Sequence, residues 1–137
     1  MKYLVDANVL SEPTRPDPEP VVVEWLRRNE SAIAVDPVIL GEVQFGILLL
    51  PRGKKRSALQ RWFDSGVRRV QCLPWKAETG LRWGTLLATL RARGREMPIK
   101  DSLIAATALV HDLIVVSRNE SDFEHAGVQV LNPFSGR

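Results

Sequence analysis

Four acidic residues, Asp6, Glu42, Asp101 and Asp122, stand where a carboxylate serves either as a helix cap or as a reagent. Asp6 follows the apolar run from Lys2 to Val5, at the point where a parallel strand would end. In open α/β sheets, ligands bind beyond the carboxyl ends of the strands. Glu42 lies three residues after Ile39 and four after Val38, so it shares their apolar helix face. A carboxylate there costs several kcal/mol unless it is paired, protonated or bound to a cation. Asp101 opens an alanine-rich helix, where the unpaired N–H groups and the helix dipole favour negative charge. Asp122 follows the apolar run Leu113 to Val116 across Ser117-Arg118-Asn119. Each acid has an ordinary explanation alone, as a turn former, a cap or a solvated edge.

Their shared geography carries more. Asp6 and the loop from Ser117 to Asp122 follow two strands expected to be neighbours at the sheet centre. Asp101 and Glu42 belong to helices expected to pack on that sheet. Carboxylates so gathered repel one another, and without a cation some must protonate. Magnesium, a hard ion that prefers oxygen ligands and retains water, resolves the conflict. Asn8, Ser117 and Asn119 are then expected to hydrogen-bond and orient the liganding acids. Such a centre suits phosphoryl chemistry, orienting water and neutralising charge on a phosphate under in-line attack.

The elements that must position these acids can be read from periodicity and punctuation. Strands are predicted at Lys2–Val5, Ser31–Val35, Val70–Leu73, Leu113–Val116 and Val128–Leu131. Helices are predicted from Pro18 to Arg28, with Val22, Val23, Trp25 and Leu26 inward, and from Pro37 to Leu50, with Pro51-Arg52-Gly53 closing the second. A basic helix from Lys55 to Ser65 follows, then Lys76 to Arg93, stopped by Gly94, and Lys100 to His111. Asp6-Ala7-Asn8 reads as a turn, leading into a stiff loop with Pro13, Pro16, Pro18 and Pro20. Alternating strands and helices predict an α/β fold with a mainly parallel sheet, in one domain over residues 1–137.

Composition narrows the partners. The net charge is +3, but the basic residues are grouped: Arg52, Lys54, Lys55 and Arg56 with Arg61, then Arg68 and Arg69, then Arg91, Arg93 and Arg95. A group of this kind is ordinarily a solvated helix face; a site that needs a polyanion gives it a purpose. The N-terminal apolar run is too short for a signal peptide, and no stretch approaches the roughly 18 apolar residues of a membrane span. The single Cys72 cannot form an internal disulfide; it is expected to be a buried apolar residue in a protein of the reducing cytoplasm. No G-x-G-x-x-G follows the first strand, and Arg52-Gly53-Lys54-Lys55-Arg56 lacks the spacing and hydroxyl of a P-loop. His111 and His125 read as structural, and Trp62, Trp75 and Trp83 as core or interface rather than base-stacking platforms.

Four segments together resemble the PIN-domain ribonucleases, in particular the VapC and FitB-like toxins of bacterial toxin–antitoxin pairs. They are Leu4-Val5-Asp6-Ala7-Asn8-Val9; Ile39-Leu40-Gly41-Glu42-Val43 with Gly46; Pro98 to Ala108 around Asp101; and Val116-Ser117-Arg118-Asn119-Glu120-Ser121-Asp122-Phe123. Leu131-Asn132-Pro133-Phe134 adds a FitB-like ending. The resemblance implies a three-layer α/β/α sandwich, usually dimeric. It implies an acidic triad of Asp6, Glu42 and Asp101 with Asp122 as a fourth, more variable acid. Some members carry an acid where this chain has Asn119, so Asn119 acting through water is the alternative to Asp122. It further implies RNA cleavage with magnesium or manganese and a DNA-binding antitoxin that blocks the site; separately, a phosphodiester substrate would give the Arg52, Lys54, Lys55, Arg56 group an RNA backbone to contact. Two other functions fit less well: a non-catalytic RNA- or protein-binding module on the same fold, and a phosphatase for which the arginines would have no role.

Overall fold

The computed structural model describes residues 1–135. Five strands form one sheet: β1 Tyr3–Val5, β2 Ile33–Val35, β3 Gln71–Cys72, β4 Ile114–Val116 and β5 Val130–Leu131. Every pairing is parallel and the spatial order is β3-β2-β1-β4-β5. Strands buried on both faces must be apolar throughout, and Leu4, Val5, Ala34, Val35, Val115 and Val116 are all fully enclosed. In register, Leu4 sits between Ala34 and Val115, and Val5 opposite Val116. The chain builds outward from β1 to one side, then returns to build β4 and β5 on the other. The order therefore reverses between β1 and β4, and a crevice opens beyond their carboxyl ends.

Helices flank the sheet: α1 Ala7–Leu10, α2 Pro20–Arg28, α3 Pro37–Leu48, α4 Lys54–Ser65, α5 Ala77–Ala92, α6 Ile99–His111 and α7 Glu120–Phe123. In α3, Ile39, Val43 and Ile47 recur every four residues and are buried, as the spacing predicts. The small side chains Ala105, Ala106 and Ala108 let α6 lie close to its neighbours, with Ile104 filling the interior. Each fully buried aliphatic side chain of this kind stabilises by roughly 1.5–3 kcal/mol relative to exposure. Gly94, with φ of 67°, closes α5 where a side chain would be strained.

Three local expectations are corrected. Asp6-Ala7-Asn8 is not a turn: Asp6 caps α1, its Oδ1 accepting from the Ala7 N–H at 2.8 Å. The second helix begins at Pro20 rather than Pro18, because the buried Glu12 carboxylate holds the Glu19 N–H at 2.9 Å and keeps that residue extended. Cys72 is exposed, since β3 is a two-residue strand at the sheet edge. Of the inward residues expected in α2, only Val22 is fully buried; Val23, Trp25 and Leu26 are half-buried, Trp25 stacking edge-on against Tyr3.

Besides Glu12, a second buried acid was not singled out in the sequence. Asp36 is fully enclosed and caps α3, its Oδ1 accepting from the Ile39 N–H at 2.9 Å. Its Oδ2 accepts from the Thr107 hydroxyl of α6 at 2.7 Å. Burial pushes this carboxyl's pKa upward, against those hydrogen bonds.

Candidate functional site

The reversal point of the sheet gathers the predicted acids. Asp6 is 1% exposed at the end of β1, and its own N–H donates to Val116 O at 2.8 Å, stitching β1 to β4. Ser117, the first residue after β4, donates its hydroxyl to Asp6 Oδ2 at 2.8 Å. Asn8 reaches the same Ser117 Oγ at 3.3 Å and accepts from the Arg118 N–H at 3.1 Å. Asn119 contributes through its backbone N–H, which donates to Ser117 Oγ at 3.0 Å, while the residue itself is exposed. These bonds leave the Asp6 carboxylate little freedom to turn, which is what an oriented ligand requires.

Asp101 stands in the first turn of α6, 2% exposed, and Glu42 is half-buried on α3. Burial pushes the Asp101 carboxyl up to about 6; the neighbouring charges of Asp6 and Asp122 push the same way, and Lys100 opposes them. Glu42 is also raised, first by burial and then by Asp6, against a hydrogen bond from Lys100. Asp122, half-buried on α7, therefore lies within electrostatic reach of Asp101.

Glu42 Oε1 and Asp101 Oδ1 are buried without a hydrogen-bond partner. Such an atom forfeits the hydration it would have in water, a cost of about 1–3 kcal/mol or more for a charged group. Hard, unpartnered oxygens beside further carboxylates fit a magnesium or manganese ion. Among the described residues, however, no three acids are already drawn around one point as a bound cation would draw them; Lys100 stands between Glu42 and Asp101 instead.

A groove of about 470 Å³ runs from Asn8 and Glu42 past Arg15 and Arg118 to Phe45 and Trp62. Arg118 lies over the Phe134 ring at 4.5 Å, which fixes its guanidinium at the mouth. The Arg52, Lys54, Lys55, Arg56 group is not brought to the acids. It sits around the start of α4, beyond the C-terminal end of α3, with Arg52 and Arg56 lining a separate shallow depression beside Leu48. Lys100 is within 4.0 Å of Glu42 and Asp101, and Arg118 lines the groove beside Asn8; sequence reasoning gave neither a role. Their only signal was adjacency to Asp101 and Ser117.

The raised Asp101 carboxyl has a measurable consequence for the metal-free protein. The folded state holds this proton to about pH 6, whereas the unfolded chain releases it near 3.8. Between those values the folded state binds more protons, so stability falls as pH rises. The full penalty, no more than about 3 kcal/mol, is present above pH 6 and absent below about pH 4. Thermal melts of Asp101→Asn against wild type in EDTA should show the variant more stable at pH 7.5, the gap closing toward pH 4. A gap independent of pH would contradict this assignment.

The sequence pattern of the PIN domain matches residues 3–129. The chain is 33% identical over 138 residues to the toxin FitB of Neisseria gonorrhoeae, covering 96% of this chain and 97% of that protein. It is 28% identical over 135 residues to the VapC ribonuclease Y4jK of Sinorhizobium fredii, covering 96% of each. The solved FitAcB structure from Neisseria gonorrhoeae superposes with a TM-score of 0.87 at 30% identity, over 96% of this chain and 98% of that one. The fold is accordingly the α/β/α sandwich that the resemblance implied. On its sequence pattern, its sheet order and these likenesses, this chain belongs to the PIN domain family.

Proposed function

We propose that this chain is a metal-dependent endoribonuclease, one PIN domain over residues 1–137, acting in the cytoplasm as the toxin of a type II toxin–antitoxin pair. The observation that carries the reading is the set of buried carboxylates at the sheet's reversal point, two of whose oxygens lack any partner. Asp6, Glu42 and Asp101 would hold magnesium, or manganese in its place, with Asp122 as the fourth acid. When bound, the ion supplies charge neutralisation at the phosphate and a more acidic water. The chain's own part is to orient. Ser117 and Asn8 fix Asp6, and one site carboxylate accepts the proton of the attacking water. Arg118, pinned on Phe134 beside the groove, is placed to meet a backbone phosphate. Arg52, Lys54, Lys55 and Arg56 would bind RNA farther along, away from the reacting phosphate.

Partners follow from the same reading. Relatives are named as toxins and ribonucleases, and one similar solved structure is of FitAB bound to a DNA fragment. A DNA-binding antitoxin of that kind would cover the groove, and the chain would pair with a second copy of itself. Phe45 and Leu48 of α3, with Leu49 just after it, are more exposed than apolar side chains usually are and would gain from either contact. No helix among the described residues is long and apolar enough to cross a membrane.

The test is to incubate purified protein with total RNA in magnesium and in EDTA, and to map the cut ends. Cleavage should appear at defined sites with magnesium and fall at least about 100-fold in EDTA. Replacing Arg52, Lys54, Lys55 and Arg56 by alanine should weaken RNA binding and flatten its salt dependence, by about 0.7 in log–log slope for each phosphate no longer neutralised. RNA retained but uncut with either metal would favour the non-catalytic binding module. Cleavage undiminished by EDTA would remove the metal from the chemistry.

A further inference from the structure

Lys100 is oddly placed for an ordinary surface lysine. It lies in the first turn of α6, where the positive end of the helix dipole disfavours a cation. Its side chain turns toward the acids rather than straight out into water. Nζ donates to Glu42 Oε2 at 2.5 Å and lies 4.0 Å from Asp101 Oδ1. One ammonium thus bridges carboxylates from α3 and α6, with Glu42 lying 58 positions before Lys100 in the chain. Holding a lysine in one geometry costs up to about 2 kcal/mol of rotamer freedom, so the local negative field must be strong enough to offset it. The side chain still keeps 42% of its exposure, which leaves it an open path outward.

We propose that Lys100 is an internal competitor for the divalent cation, neutralising the acids in the metal-free protein and thereby setting the metal affinity. This rests on reading the acids as a cation site. A divalent ion approaching Glu42 and Asp101 meets a fixed positive charge within about 4 Å of its ligands. Either the ammonium stays and repels the ion, or it leaves and its bonds are lost; both weaken metal binding. The alternative is that Lys100 acts as a strut, lining the two carboxylates up for the metal. The two roles predict opposite signs when the charge is removed.

The experiment strips the full chain with chelator and titrates manganese chloride calorimetrically into wild type, Lys100→Met, Lys100→Gln and Lys100→Arg. Circular dichroism confirms that each is folded. Both neutral variants should bind manganese about three- to tenfold tighter than wild type, on the scale of a partly exposed ion pair. Their metal-free melting temperatures should fall and the rise on adding manganese should be larger. Lys100→Arg, which keeps the charge, should stay within about twofold of wild type. Lys100→Gln, polar at a half-exposed position, keeps the comparison open if methionine disturbs folding. Equal or weaker manganese binding by the neutral variants overturns the competitor role while leaving the metal site standing. No manganese binding by any of the four proteins overturns both.

Discussion

Asp101→Asn is expected to reduce RNA cleavage by about 1000-fold or more while the protein stays folded. Asparagine matches aspartate in size, so the packing around this buried position changes little. It cannot carry the charge. Asp101 is 2% exposed and within electrostatic reach of Asp6 and Asp122, so a negative charge there is costly unless a cation such as Lys100 or a metal ion offsets it. Losing a group that organises charge at a reacting centre typically costs 100- to 1000-fold in rate, and a lost metal ligand more. The helix does not depend on it for a capping bond, because α6 has no side-chain cap and Asp101 Oδ1 accepts no hydrogen bond. Initial rates on a short fluorogenic RNA in magnesium, paired with a thermal melt, give the answer. A rate within tenfold of wild type would take Asp101 out of the reaction.

The second large effect is on stability, at an acid outside the candidate site. Asp36→Ala should destabilise the fold by about 2–4 kcal/mol. The side chain makes two buried bonds, capping α3 through the Ile39 N–H and accepting from the Thr107 hydroxyl. Removing a cap costs about 1 kcal/mol, and stranding a buried donor another 1–3. Asp36→Asn keeps an acceptor for Ile39, and the Thr107 hydroxyl can rotate to accept from the new amide, so it should lose less than half as much. Urea denaturation with an unchanged slope would separate the two variants. A loss below about 1 kcal/mol for the alanine would mean that water replaces both bonds. Because α3 carries Glu42 and α6 carries Asp101, this one bond to Thr107 also ties together the helices that hold two of the site acids.

Much of this arrangement was legible in the sequence for a simple reason. Leu4-Val5, Ile33 to Val35 and Ile114 to Val116 are apolar without alternation because a parallel sheet covered on both sides leaves no wet face. Glu42 could be singled out because it interrupts an apolar helical stripe, and Asp6 and Asp122 because they follow such strands. The local role of Asp6 was left open between turn former and helix cap. Aspartate and asparagine favour turns and helix starts alike, and only the bond to Ala7 decides between them. Asp36 and Glu12 were not singled out, since burial of a polar residue is invisible until its partners are known. Lys100 was hidden differently: successive residues on a helix point about 100° apart, so only its long side chain brings it back beside Asp101. Cys72 misled because edge strands expose residues that a central strand would enclose.

The bond between Asp6 and Ser117 closes a loop of 111 residues. Pairings so far apart in the chain form late, because the entropy of bringing the ends together is not recovered until β4 docks beside β1. A chain interrupted before residue 113 would leave β1 with an open edge and its terminal aspartate unanchored. Synthesis cut short before β4 would therefore yield fragments that lack the assembled centre.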